Sequence, residues 1–338
     1  LKSGNATIQA TFAVTFLYVA NCVSNNVSAF MIGSGGALAP ISGTFTTGTS
    51  PFGIAISPNG NYLYVANCSV GDNSVSAYDI GSGGALAPIS GTFTTGTYPS
   101  GIAISPNGNY LYVTNTGSCT VSAFTIGSGG ALTPITGTFT TGTYPFWIAI
   151  SPNGNYLYVT ICSSGDNTVA AFTIGSDGAL TPITGTFTTG SYPYEIAISP
   201  NGNYLYVTNN GSNTVSAFTI GSGGALTPIA GTFTTGSNPF GIAISPNGNY
   251  LYVTNWGSNT VSAFTIGSGG ALTPIAGTFT TGSHPEGIAI SPNGNYLYLI
   301  NYSSNTVSAF MIGSGGALTP IAGTFTTGSY PYGIAIMP

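Results

Sequence analysis

Charge is what this chain lacks most. Of its 338 residues, 1 is Lys or Arg and 6 are Asp or Glu, so 2% are charged, against roughly 25% in ordinary soluble domains. Arg is absent altogether, Lys2 is the sole cation and His284 the sole histidine. Nucleic acid as a partner is thereby excluded, because displacing counterions from phosphates takes clusters of Lys and Arg. Phosphate clamps and Schiff-base lysines fall with it. No run of 18 apolar residues occurs, so no membrane-spanning helix is expected. Cysteine is scarce too, with 4 in the chain, no C-x-x-C spacing and no histidine beside them. A zinc site is therefore not expected. The Gly-Asp-Asn turns at Asp72 and Asp166 have too few acidic neighbours for calcium. No metal, cofactor or catalytic set is expected.

What is present is apolar and periodic. At 42% hydrophobic and 12% aromatic residues, disorder is excluded. The tetrapeptide Phe16-Leu17-Tyr18-Val19 recurs at Tyr62, Tyr110, Tyr156, Tyr204, Tyr250 and Tyr296, at spacings of 46 or 48 residues. A second landmark ending in Ile-Ala-Ile begins at Gly53, Gly101, Trp147, Glu195, Gly241, Gly287 and Gly333. Each period reads as four short strands parted by turns. In one copy, strand A is Gly241–Ile244, the turn is Ser245–Asn249, and strand B is Tyr250–Thr254. Strand C is Thr260–Ile266, followed by the turn Gly267–Gly270 and strand D, Ala271–Thr281. Asn-Gly and Gly-Gly supply the backbone angles of tight turns, and the Val, Ile, Thr, Tyr and Phe between them suit strands. The expected fold is all-β, a seven-bladed β-propeller of four-stranded antiparallel blades.

Residues 16–338 would form this single domain, with 1–15 as an N-terminal extension or extra strand. The ring would close by pairing of the N- and C-terminal segments, since the chain opens before a strand B and closes on a strand A from Tyr332. Residues 7–15 also alternate like a strand, so either segment could fill the vacant strand-A place, leaving the other as an edge strand for a second subunit.

The repeat Pro239 to Asn255, with Val261 to Ile275 after it, resembles the YVTN-repeat propellers and the wider lactonase-like seven-bladed family. The resemblance implies a propeller over residues 16–338. Lactonase and lactonising members use polar clusters with Arg and His over the central channel, and this chain has no Arg and one His. The resemblance thus argues against carrying the catalysis over.

Comparison of the repeats with one another separates two faces. The A–B and C–D turns are nearly invariant, while the D–A connections and B–C loops hold the variety. Trp147, Glu195, Trp256, His284, Glu286 and Tyr302 are the contact candidates of that variable face. Cys22, Cys68, Cys119 and Cys162 lie there too; two disulfides, Cys22–Cys68 and Cys119–Cys162, are expected, placing the protein outside the cytoplasm or at the cell surface. Asn-x-Ser/Thr acceptors stand at Asn5, Asn26, Asn67, Asn210 and Asn301. The expected function is a glycosylated extracellular structural propeller, non-enzymatic, self-assembling as a homo-oligomer or polymer into a fibre, sheath or surface layer. The alternatives are a carbohydrate-binding or adhesion module on the aromatic face, and a lactonase-type hydrolase using His284 or Glu286.

Overall fold

A computed structural model describes residues 15–163 and 165–338. Seven antiparallel sheets follow one another along the chain, each with strands in the order A-B-C-D. A representative blade holds strand A at Pro239–Ile244, strand B at Tyr250–Asn255 and strand C at Thr260–Ile266. Strand D is not the single run expected. It breaks into Leu272–Pro274 and Phe279–Thr280, both paired to strand C. Between them the chain swings out through Gly277, whose φ of 142° is in the left-handed half of the map, a conformation glycine tolerates.

Ring closure falls to the C-terminus. Strand Pro331–Ile336 pairs antiparallel with Thr15–Asn21 and supplies strand A of the first blade. The alternative closing segment, residues 7–14, and the acceptor Asn5 lie outside the described residues.

Strand B explains the fold's density. In Tyr250–Asn255 every residue after the first is buried, because the strand is covered by a neighbouring blade on each side. Leu251 and Val253 pack with Tyr206 of the preceding blade, while Tyr252 joins Leu297 and Leu299 of the following one. Alternation along a strand thus becomes alternation between neighbours. The hydrophobic core is seven inter-blade clusters rather than one central mass.

The second tyrosine of each YLYV motif ties these interfaces. Tyr252 Oη donates to the Gly316 carbonyl of the next blade at 2.8 Å. Tyr18, Tyr64, Tyr112, Tyr158 and Tyr206 do the same to Gly84, Gly130, Gly178, Gly224 and Gly270 at 2.8 Å. Tyr298 closes the circle onto Gly36 at 2.7 Å. Burial raises the pKa of every one of these phenols, keeping them as neutral donors.

The disulfides expected from the sequence are overturned: all 4 cysteines are free thiols. The pairing fails because the cysteines are not equivalent. Cys22, Cys68 and Cys162 follow strand-B positions, but Cys119 is a tight-turn residue with φ of 56° and its thiol directed at the Thr116 carbonyl. Asn25, Asn213, Asn259 and Asn305 hold that left-handed position in other blades. Their Oδ1 atoms cap the backbone N–H of Ser50, Asn238, His284 and Tyr330 at 2.7–2.8 Å. Those recipients are themselves left-handed residues standing before proline, a conformation that costs a side-chain-bearing residue on the order of 1 kcal/mol or more. Cys119 has no oxygen to offer Tyr144.

The glycoprotein expectation also fails on position. Asn67 and Asn301 are 1% exposed and spend their amides on Ser74 with Ser76 and on Thr306 with Ser308. Asn210 donates its amide to the Pro239 carbonyl, and Asn26 accepts from Asn21.

Two stability changes are expected. Tyr206→Phe, which strips the buried Gly270 carbonyl of its donor, lowers unfolding free energy by about 1–2 kcal/mol. Cys119→Asn, which adds the missing cap, raises it by about 1 kcal/mol. Urea unfolding followed by tryptophan fluorescence measures both; a neutral Cys119→Asn would show that the caps do not hold the D–A connections.

Candidate functional site at the channel mouth

The seven strands A pack against one another around the axis, and each opens with an irregularity. Pairing with strand B shifts register between the first proline and the first isoleucine, as between Pro193 and Ile196. Such a bulge re-aims the residues inside it. The first place after the proline is Phe52, Ser100, Phe146, Tyr194, Phe240, Glu286 or Tyr332, and the second is Gly53, Gly101, Trp147, Glu195, Gly241, Gly287 or Gly333, the last of which still pairs with Ala20.

Glycine dominates the second place because blades converge there. A Cβ on Gly241 would lie 2.3 Å from the Glu286 carbonyl oxygen, and one on Gly53 2.3 Å from that of Ser100. Trp147 and Glu195 are the departures, on adjacent blades. A carboxylate oxygen of Glu195 accepts the Ile242 N–H of the next blade at 3.1 Å.

The first bulge places form a closed circuit of five rings. Phe52 meets Phe146 at 5.7 Å between centroids, Phe146 meets Tyr194 at 4.6 Å, and Tyr194 meets Phe240 at 4.6 Å. Phe240 meets Tyr332 at 5.6 Å, and Tyr332 stacks on Phe52 at 3.5 Å. Ser100 and Glu286 are the two places without a ring, and both are buried. Ser100 is satisfied by Thr114, Thr116 and the Phe146 carbonyl. Glu286 is not: it is 4% exposed, and one carboxyl oxygen has no partner.

Above this floor stand the residues at the ends of strands B: Cys22, Thr116, Asn210, Trp256 and Tyr302 just after the strand, and Cys68 and Cys162 within its longer copies. Each is tied through its backbone N–H to the left-handed residue of a D–A connection, as Trp256 is to Asn238 and Tyr302 to His284. Trp256 stacks on the His284 imidazole at 4.0 Å, and His284 Nδ1 lies 2.6 Å from Ser303 Oγ. Tyr302 reaches Tyr330 at 4.8 Å and Tyr332 at 6.4 Å.

Burial dominates the electrostatics. Desolvation pushes the Glu286 carboxyl up to about 9, opposed only in part by a hydrogen bond from Trp256. Desolvation pushes Glu195 up to about 8, opposed by the Ile242 N–H. Glu195 is half-buried as a residue. Tyr332 is raised well above its ordinary value by burial, then by Glu286, Tyr194 and Glu195. Burial raises the Cys22 thiol, and pushes Cys68 and Cys162 up to about 11, so these remain weakly nucleophilic thiols at neutral pH.

Of the six contact candidates, the structure brings Trp147, Glu195, Trp256, His284, Glu286 and Tyr302 to one mouth. Glu195 and Glu286 are turned inward on strands A, not presented on the outer surface. The circuit residues Phe52, Phe146, Tyr194, Phe240 and Tyr332 escaped sequence reasoning, although an aromatic after the proline in five of seven repeats was a visible signal. Peripheral clefts between blades are lined by residues such as Pro106, Asn109, Asn153 and Ser176, and the carboxyl pair is not among them. Among the described residues, no group of three or more His, Cys, Asp or Glu is placed to hold a metal.

Seven blades around a mouth holding neutral carboxyls and one imidazole define a propeller with an axial site, and family comparison agrees. The Lactonase, 7-bladed beta-propeller family matches residues 2–84, 72–181, 132–238 and 224–331; the chain belongs to this family. No curated protein matches it. The solved structure titled "putative 6-phosphogluconolactonase" from Bacteroides fragilis is 25% identical, with a TM-score of 0.85 over 97% of this chain and 99% of that one. A namesake from Bacteroides uniformis is 23% identical, with a TM-score of 0.85 over 96% and 100%. The periplasmic gluconolactonase of Pseudomonas aeruginosa is 20% identical, with a TM-score of 0.80 over 96% and 99%. These findings overturn the expectation of a non-enzymatic structural protein assembling into filaments. Low charge and uniform blades had suggested a building unit, but the same uniformity frames a channel.

The raised carboxyl pKa values set a stability profile. Each glutamate binds its proton more tightly folded than unfolded, so the stabilisation is complete below the unfolded value of 4.5 and lost as pH rises through about 8 and 9. Melting temperature is expected to fall from pH 4.5 to 9, and to fall less in Glu195→Gln and Glu286→Gln; a parallel fall in both variants would contradict it.

Proposed function

We propose that this protein is a lactone hydrolase whose reaction centre is the channel mouth between His284, Trp256 and Glu286. The observation carrying the proposal is the buried Glu286 carboxyl with one unpartnered oxygen, kept protonated by burial up to about pH 9 and bridged through Trp256 to the only imidazole in the chain. Membership of the lactonase family supports it.

Hydrolysis of a lactone needs a proton acceptor for the attacking water and a donor for the carbonyl oxygen as it becomes negative. His284 supplies the first. With Nδ1 donating to Ser303 Oγ, Nε2 carries the free lone pair and takes the water proton. Glu286 supplies the second, since a neutral carboxylic acid donates a hydrogen bond that a carboxylate cannot. Water adds to the carbonyl carbon, the ring C–O bond breaks, and the departing alkoxide receives the proton from His284. The product is a hydroxy acid. Arg and additional His, which other members of the family place over this channel, are replaced here by buried neutral donors.

Proton release from a panel of γ- and δ-lactones tests the reading. Turnover is expected to fall as pH rises through about 9, where Glu286 loses its proton. Glu286→Ala should lower kcat by roughly 100-fold, the usual loss of one oxyanion donor, and His284→Asn by a similar factor. Glu286→Gln, which keeps a neutral N–H donor, should retain more activity and lose the alkaline limb. Absence of proton release, or full activity in Glu286→Ala and His284→Asn, would reject it.

A further inference from the structure

The floor of the channel specifies the kind of lactone. Five rings close a continuous circuit, and Trp147 adds a sixth within 6.3–6.4 Å of Phe146 and Phe52. Phe52, Phe146, Tyr194 and Tyr332 each keep part of their surface accessible, so the floor is a surface a ligand can lie on. Its polar atoms are few: the tyrosine hydroxyls and the carboxyls of Glu195 and Glu286.

A phosphorylated sugar lactone does not fit this lining. A phosphate dianion is held by paired cations or by a Gly-rich turn at a helix N-terminus. The whole chain contains one cation, Lys2, and the described residues contain no helix. A polyol ring would likewise leave hydroxyls against aromatic carbon with too few partners, which is costly once water is displaced.

Resting on the hydrolase reading above, we infer that the substrate is an uncharged lactone bearing an alkyl or aryl substituent, which lies on the ring formed by Phe52, Phe146, Tyr194, Phe240 and Tyr332. Each methylene laid on that surface adds apolar burial, which corresponds to about a threefold gain in apparent affinity per group.

The experiment compares kcat/KM for γ-butyrolactone, γ-hexalactone, γ-octalactone and γ-decalactone with glucono-δ-lactone and 6-phosphogluconolactone. The binding of 3-alkylcyclopentanones, unreactive mimics with a methylene in place of the ring oxygen, is followed in parallel by quenching of Trp147 and Trp256 fluorescence. Both kcat/KM and mimic affinity are expected to rise about threefold per methylene, with the sugar lactones below γ-octalactone. Phe146→Ser places at one blade the serine that Ser100 already occupies at the equivalent place in another, so the ring survives it. It should flatten the chain-length dependence of both kcat/KM and mimic affinity. Chain-length-dependent mimic binding without turnover would remove the hydrolase reading and leave the apolar site standing. Turnover that is flat with chain length, or highest for 6-phosphogluconolactone, would overturn the inference and leave the hydrolase.

Discussion

The hydrogen bond from each buried YLYV tyrosine to a turn glycine of the next blade is the interaction on which the rest depends. It is made seven times, at 2.7–2.8 Å, and always crosses from one sheet to another. A blade alone would expose both faces of its strand B; with its neighbours, Leu251 and Val253 face one way and Tyr252 the other. The phenol's direction then fixes how far one blade is turned against the next. The accepting turn must contain glycine, since Gly316 has a φ of 79° and a Cβ there would lie 2.5 Å from the Tyr250 ring. The Gly-rich turn and the buried tyrosine of each repeat are two halves of one contact.

Because that contact is uniform, the residues at the axial mouth are free to differ. The bulge opening each strand A lifts two residues out of the pairing register in six blades and one, Tyr332, in the ring-closing blade, and the ring brings them to one mouth. Glycine fills most of the second places because backbone from the neighbouring blade leaves no room. The two departures there are Trp147 and Glu195, while the first places hold five rings, Ser100 and Glu286. Low dielectric around Glu195 and Glu286 keeps them neutral, so a chain nearly devoid of charge in sequence keeps its axis uncharged at pH 7 as well.

Much of the fold was legible because it repeats. Spacing of Tyr62, Tyr110 and their equivalents defined seven units, and Ser-Pro-Asn-Gly and Gly-Ser-Gly-Gly marked their turns. Strand D was misread as continuous because Thr and Phe suit a strand on either side of Gly277, and pairing to strand C decides where it breaks. The cysteines were misread because Cys119 and Cys162 both follow a strand B in sequence; only the backbone shows that one sits in an asparagine cap position and the other on the channel wall. Phe52 and its equivalents read as ordinary strand residues, since strict alternation takes no account of a bulge.

Repetition of a short pattern, with tyrosine, glycine and proline at constant spacing, was determined by the sequence alone, because turn angles and strand burial are local demands that residue type meets directly. Only the tertiary structure decided that Pro331–Ile336 closes the ring and that Glu286, Trp256 and His284 meet at one mouth. The first depends on closure of the circle, the second on the packing of two adjacent blades. Residues far apart in sequence become neighbours only when one blade is packed against the next, and Pro331–Ile336 finds Thr15–Asn21 only when all seven blades have turned by about the same angle.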